Sequence, residues 1–288
     1  MAQSISLRTG QGFRPQKRLG QHFLVERHLI HEIIARARFQ VSDLVLEIGP
    51  GHGALTLPLA QSVGHVVAVE KDARLAEELK EKLSQKGISN VTIVINDILR
   101  WEFRELKSLS SAKAKVIGNL PYNISSPFLE KLVENRTLVS RAVLMFQREV
   151  AQRLVASPAT KAYGALTLLV RYHAHPTMLL EVPSQAFYPR PKVDSMVVEL
   201  DFETPYAQQT VHENTFKKVV KGAFAYRRKT IINSLKGYGP FWDRGALLEA
   251  MNSCGIDPGK RAEVLDMDEY LCLTRALALT KKDGNDIK

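Results

Sequence analysis

Between residues 28 and 202, short apolar segments alternate with amphipathic ones, and this alternation admits few folds. Segments 44–48, 66–70, 91–95, 115–117 and 141–146 are rich in the apolar, branched residues that suit strands. Segments 29–39, 55–61, 73–86, 128–135, 149–156 and 165–173 carry helical spacing. Strands that are apolar along their whole length and separated by helices belong in a parallel sheet covered on both faces. The last two strands, 178–182 and 196–202, have no helix between them, so the final strand is expected to run antiparallel. The fold class is therefore α/β, with a mostly parallel, Rossmann-like sheet of seven strands.

After residue 202 the pattern changes. Residues 203–214 are polar, contain Pro205 and read as a linker. Residues 215–280 read as wholly helical, in segments 215–225, 229–236, 244–252 and 267–279, and 281–288 as a frayed tail. The expected division is a sheet domain over 1–204, opening on a basic segment 1–27, and a small all-helical domain over 205–288.

The first strand ends in Glu47-Ile48-Gly49-Pro50-Gly51-His52-Gly53 and runs into a helix. Glycines there let a ligand approach the backbone at the carboxyl end of the sheet. Gly49, Gly51 and Ala54 satisfy a dinucleotide fingerprint, with Glu70 at the distance of a ribose contact. Glu47 ahead of the glycines, and Asn96-Asp97 closing the third strand, instead fit S-adenosylmethionine (SAM). In that pattern the end of the third strand holds the adenine amine. The SAM reading is much the better of the two. His52 reads as a space-filling residue at the helix start.

The fourth strand leads into Asn119-Leu120-Pro121-Tyr122. The Asn119 side-chain carbonyl and the Leu120 backbone carbonyl are natural acceptors for an exocyclic amine. Pro121 fixes its own φ and biases Leu120 toward an extended conformation. Tyr122 supplies a stacking face for a base taken out of its helix. An ordinary proline turn after a strand is the alternative, and it weakens beside the SAM loop.

The net charge is +10, which points to an anionic partner, and nucleic acid is the first candidate. Arg14, Lys17, Arg18, Arg27, Arg36 and Arg38 form one basic cluster. Lys217, Lys218, Lys221, Arg227, Arg228, Lys229 and Lys236 form a second, with no acid inside it. Cys254 and Cys272 are the only cysteines, which argues for a reducing compartment and against a disulfide scaffold or a cysteine metal site. No apolar run reaches bilayer length, and residues 1–20 lack a secretory h-region. A cytoplasmic chain without a metal, a membrane contact or a coiled-coil pattern is expected, and a monomer is the default.

Four ordered blocks carry a family resemblance: residues 17–24 (Lys-Arg-Leu-Gly-Gln-His-Phe-Leu), 119–127, 187–195 (Phe-Tyr-Pro-Arg-Pro-Lys-Val-Asp-Ser) and 224–230 (Phe-Ala-Tyr-Arg-Arg-Lys-Thr). Over nearly its whole length the chain resembles the KsgA-type ribosomal RNA adenine N6-dimethyltransferases. The resemblance implies a SAM-dependent methyltransferase fold with a helical C-terminal domain. It implies that His22, Leu24, Gly49, Glu70, Asp97 and Asn119 line SAM. His22 stands where many members carry Asn, its backbone still beside SAM. It implies that Asn119 and Leu120 hold the target amine and that Tyr122 and Phe187 sandwich the adenine. Arg227, Arg228 and Lys229 would contact RNA phosphates. The implied substrate is two adjacent adenosines in a hairpin loop near the 3′ end of 16S rRNA, in the small ribosomal subunit. Two other readings are a resistance methyltransferase acting on large-subunit RNA and a ribosome-assembly factor with methylation secondary. The segment before Gly20 is expected to fold over the cofactor.

Overall fold

The structure is a computed structural model and describes residues 20–210 and 212–279. Arg14, Lys17 and Arg18 of the first basic cluster, and residues 281–288, lie outside the described residues. Contacts divide the chain into two compact units, one comprising the residues up to 151 together with 175–203, the other 152–174 together with the residues from 204 onward.

The elements of the first unit follow in chain order: β1 (Phe23–Leu24), α1 (Arg27–Ala37), β2 (Leu44–Ile48), α2 (Thr56–Ala60), β3 (His65–Glu70), α3 (Ala73–Gln85), β4 (Val91–Ile95), β5 (Ala114–Asn119), α4 (Ser125–Glu134) and β6 (Val139–Gln147). After α5 (Arg148–Val155) and α6 (Ala165–His173), the chain returns with β7 (His175–Val182), β8 (Phe187–Tyr188) and β9 (Ser195–Asp201). Seven strands form one sheet in the order β4-β3-β2-β5-β6-β9-β7. The strands from β2 to β6 pair in parallel, and β9 runs antiparallel to both β6 and β7, as the missing helix before it implies.

The apolar runs explain the layers. All five residues of β2 are buried, as are all but the first of β3, so both faces of the central strands are covered. On α3, Leu75, Ala76, Leu79 and Leu83 are buried at helical spacing, and the Asp72 side chain caps the helix by accepting from the Arg74 N–H at 3.1 Å. The strand order reverses at β2, which lies between β3 and β5. Its end, Ile48, sits beside Gly118 of β5. This is the switch point where open α/β sheets place ligands.

The sequence pattern misses one element. β1 and β8 form a separate antiparallel ribbon, with Phe23 opposite Tyr188 and Leu24 opposite Phe187. Two-residue strands have no period to read.

The second unit holds α6, α7 (Glu213–Ala223), α8 (Ile231–Tyr238), α9 (Arg244–Ser253) and α10 (Met267–Leu279). Tyr163, Leu168 and Tyr172 are buried with Phe216, Leu247, Tyr270 and Leu271 in its core. Residues 152–174, read from the sequence as part of the sheet domain, therefore pack among the helices. The Tyr172 ring stacks on Phe216 at 4.5 Å between centroids, and its hydroxyl donates to the Thr210 carbonyl at 2.8 Å and accepts the Thr210 N–H at 3.1 Å. Part of the expected linker is thus pinned down, because a buried phenol satisfies its backbone.

The expectation drawn from the two cysteines, a reducing compartment and no disulfide scaffold, meets a disulfide in the structure. Cys254 and Cys272 are disulfide-bonded across 18 residues, Cα to Cα 5.9 Å, because α9 and α10 pack together. Sequence spacing alone carried no sign of that approach.

The turn after β2 supplies a stability test. Gly53 has φ +82°, and a Cβ there would lie 2.5 Å from Leu79 Cδ1. Gly53→Ala is expected to lower the unfolding free energy by about 1–3 kcal/mol, from backbone strain and displacement of Leu79. Urea denaturation checks this, as a lower midpoint with an unchanged slope.

Candidate active site

The glycine loop and the acid at the end of β3 lock together. Gly49 and Gly51 have φ +61° and +55°, which suits glycine. The Gly51 N–H donates to Glu70 Oε2 at 3.1 Å, and the Asp72 N–H to Glu70 Oε1 at 2.8 Å. A Cβ on Gly51 would lie 3.0 Å from the Phe23 ring, so this glycine also lets β1 approach. Glu70 is buried, which pushes its carboxyl above the usual range, and the backbone donors offset part of that rise. Asp97, after β4, is partly buried and meets Lys71 Nζ at 2.7 Å and the Leu99 N–H at 3.0 Å. Burial opposes its ionisation, but the Lys71 ammonium and the Leu99 N–H outweigh burial and hold it below the usual carboxylate range.

Asn119 is the last residue of β5, two positions beyond the strand end expected from the sequence. Its Nδ2 donates to the His22 carbonyl oxygen at 2.8 Å. With the amide oriented in this way, Oδ1 remains the side chain's acceptor. Pro121, at φ −54° and ψ 133°, turns the chain into a short helical turn, Tyr122–Ile124. The Tyr122 hydroxyl lies 3.2 Å from Ser195 Oγ, and burial raises its pKa. The His22 ring stacks on Tyr122 at 5.6 Å between centroids and 28° between planes. His22 Nδ1 lies 2.7 Å from the Pro189 carbonyl, an acceptor only, so Nδ1 carries the proton and donates.

Gly20, Gln21, His22, Gly49, Glu70, Asp97, Asn119, Leu120 and Tyr122 all line one cleft of about 140 Å³. Of the residues expected at the site, two are placed elsewhere. Leu24 lines a second, neighbouring cavity of about 500 Å³. Phe187, only 4% exposed, packs with Leu24 in the core beneath the ribbon and does not line the cleft. His52, taken as a filler, packs its ring 4.6 Å from Phe23 and sets Nδ1 3.0 Å from Glu78 Oε1.

Glu47 lines the second cavity, which also reaches Gly49 and Asn119. It is 1% exposed, and its Oε2 has no hydrogen-bond partner among the described residues. Burial pushes its pKa up to about 8, with Thr56 and the nearby Glu70 as smaller influences. An orphaned carboxyl beside the glycine loop suits a ligand that brings a cationic group.

Several contributors escaped the sequence reading. Gln21 reaches Asp72 Oδ2 at 3.3 Å, Lys71 holds Asp97, and Pro189 and Ser195 hold His22 and Tyr122. The blocks at 17–24 and 187–195 were visible as motifs, but their joint action on 119–122 was not. Among the described residues no cluster of His, Cys, Asp and Glu is placed to hold a metal. No helix is long and apolar enough to cross a membrane among those residues.

A seven-stranded sheet with a reversed last strand, a glycine loop at its switch point and an acid closing the neighbouring strand define the class of Rossmann-like SAM-dependent methyltransferases. Within that class the chain belongs to the ribosomal RNA adenine dimethylase family, whose model matches residues 12–279. It is 44% identical over 269 residues to ribosomal RNA small subunit methyltransferase A of Desulforapulum autotrophicum, covering 93% of each chain. To the protein of the same name from Geobacter metallireducens it is 43% identical, covering 93% of this chain and 97% of that one. Among solved structures it resembles a dimethyladenosine transferase from Plasmodium falciparum, at TM-score 0.72 and 28% identity over 85% of this chain and 94% of that one. It also resembles the 23S rRNA methyltransferase ErmE, at TM-score 0.68 and 27% identity over 89% and 99%.

The Glu47 carboxyl ionises near pH 4.5 when unfolded and near 8 when folded. Its folded pKa is raised, so the folded state holds a proton that the unfolded state has lost, and stability falls as pH rises across that window. Glu47→Gln is neutral throughout. Its stability relative to wild type is expected to rise between pH 5 and 8.5 by about 4 kcal/mol, read by urea denaturation without cofactor.

Proposed function

We propose that this protein transfers methyl groups from SAM to N6 of two adjacent adenosines in a hairpin loop near the 3′ end of 16S rRNA in the small ribosomal subunit. The observation that carries the chemistry is the Asn119 amide, turned by His22 so that its oxygen is available beside Leu120 and the Tyr122 ring, in the cleft that Glu70 and Asp97 also line. The family membership and the small-subunit relatives support the choice of substrate.

The residues present fit SAM. Glu70 offers its carboxylate to the ribose hydroxyls, Asp97 stands at the adenine end, and the partnerless Glu47 carboxyl suits the ammonium of the amino-acid part. When bound, SAM supplies an electrophilic sulfonium methyl. The chain's own work is to prepare the acceptor. An exocyclic amine is a poor nucleophile while its lone pair is delocalised into the ring. Hydrogen bonds to Asn119 Oδ1 and the Leu120 carbonyl favour the pyramidal amine that forms on attack. Tyr122 stacks on the base, its hydroxyl tied to Ser195, and so restricts the base to one plane. The amine proton, acidified by methylation, leaves to solvent. A hairpin loop is a suitable target because its bases unstack at low cost.

Arg227, Arg228 and Lys229, in the turn between α7 and α8, contact RNA phosphates. Arg227 also donates to the Lys161 carbonyl and lies 3.9 Å from Glu263, an acid that the local sequence did not reveal. The ribosomal substrate named for its relatives, rather than its bonded cysteines, supports action in the cytoplasm, and a monomer is the default. The likeness to ErmE favours a second reading, methylation of large-subunit RNA.

Labelled SAM offered to undermethylated small subunits, and to large subunits in parallel, decides between these. N6,N6-dimethyladenosine confined to the small subunit is the expected product, and label on the large subunit alone would refute the proposal. Asn119→Ala is expected to lower kcat by roughly 100-fold or more while subunit binding persists. Tyr122→Phe is expected to stay near wild type, whereas Tyr122→Ala loses about tenfold or more in kcat/KM. Loss of subunit binding in Asn119→Ala would mean that catalysis and binding are not separable there.

A further inference from the structure

The helical unit presents two tyrosine rings to solvent. Tyr226 is 44% exposed and Tyr238 37% exposed. Tyr226 is held by packing and hydrogen bonds, Tyr238 by packing. A Cβ on Gly237 would lie 3.0 Å from Tyr226 Cε2, and a Cβ on Gly222 would lie 2.9 Å from Tyr238 Cδ1, so each ring rests against bare helix backbone. The Tyr226 hydroxyl donates to the Gly237 carbonyl at 3.1 Å. The Tyr226 N–H donates to Ser234 Oγ at 3.1 Å, and that hydroxyl donates to the Gly222 carbonyl at 2.8 Å. An exposed side chain anchored at both ends has already lost its rotamer freedom, so a ligand that stacks on it loses little more.

The surroundings are cationic. Lys229 Nζ stands 4.7 Å from the centroid of the Tyr226 ring. Tyr238 lies 5.9 Å from Phe241, and Lys218 Nζ stands 5.2 Å above that ring. A lysine over an aromatic face holds the place that a nucleobase takes in a stack, and its flexible stem lets the ammonium move to a phosphate when a base arrives.

We infer that Tyr226 and Tyr238 form a stacking platform for unpaired bases of the RNA, with Lys218 and Lys229 neutralising the adjoining phosphates. The platform is distinct from the methyl-acceptor site, and its identification rests on the RNA reading of this protein. Interleaved rings and ammonium groups match single-stranded RNA in both its base faces and its backbone charge. Arg227, Arg228 and Lys229 alone offer charge without a base contact.

Stacking and charge respond differently to salt, and the test uses that difference. The full chain is titrated with a fluorescent single-stranded oligoribonucleotide at several salt concentrations, and methyl transfer to undermethylated small subunits is measured alongside. Tyr226→Ala and Tyr238→Ala are expected to weaken binding roughly tenfold each with the salt slope unchanged. Tyr226→Phe, which keeps the ring, is expected to bind within about twofold of wild type. Lys218→Ala and Lys229→Ala are expected to flatten the slope by about 0.7 each. Tyr226→Leu keeps an apolar side chain against Gly237 but removes the π face. It is expected to bind as weakly as Tyr226→Ala while melting close to wild type. Alanine and leucine variants that bind like wild type overturn the platform, as does a loss accompanied by a flatter slope. Wild type that methylates small subunits while the tyrosine variants bind normally removes the platform alone. Wild type that neither binds nor methylates RNA removes the RNA reading and the platform with it.

Discussion

The hydrogen bond from Asn119 Nδ2 to the His22 carbonyl, 2.8 Å long, joins residues 97 positions apart and orients the Asn119 amide in the cleft. It attaches the start of the β1–β8 ribbon to the end of β5. It also makes Nδ2 the bonded end of the Asn119 amide and leaves Oδ1 as its acceptor end. The ribbon in turn brings Pro189 to the His22 ring, and His22 to Tyr122. Three separate stretches of chain thereby act on one small volume. In an amide the donor and acceptor ends occupy nearly the same space, so a single bond to a carbonyl selects between opposite chemistries.

Around that point the protein buries acids at the head of its sheet. Glu47 and Glu70 are almost wholly covered, and both are raised by burial. Glu70 is satisfied by the Gly51 and Asp72 N–H groups, whereas Glu47 Oε2 has no partner among the described residues. An unsatisfied buried carboxyl costs folding free energy, and such costs concentrate where a ligand later supplies the missing interaction. Asp97 is treated differently, with Lys71 keeping it charged at the partly open end of the cleft. Burial thus favours the neutral carboxyl at Glu47 in one cavity, and Lys71 favours the charged one at Asp97 in the neighbouring cleft.

The helical unit gathers two parts of the chain, 152–174 and the residues after 204, around one core. Tyr172 contributes a ring stacked on Phe216 and a hydroxyl that holds the backbone of Thr210. Its basic residues are not uniformly available. Lys217 pairs with Glu213 at 2.9 Å, and Arg227 lies near Glu263. Charge counted along the sequence therefore overstates what this surface offers to a polyanion, and the fixed aromatic rings gain in importance.

The amino-acid sequence by itself determined the sheet, its reversed last strand and the cofactor loop. Continuous apolar runs, helical spacing and a glycine cluster are local signals, and the physics that reads them is local as well. Glu70 and Asn119 close β3 and β5 and Asp97 follows β4, and the ends of parallel strands converge on one edge of the sheet, which is why all three line one cleft. Tertiary structure alone decided the β1–β8 ribbon, the burial of Phe187 beneath it, the placing of 152–174 among the helices and the bond between Cys254 and Cys272. It also decided the orientation of Asn119 and the anchoring of Tyr122 to Ser195, 73 residues away. Contacts of this kind depend on which distant backbone arrives within about 3 Å, and no periodicity in the chain encodes that distance.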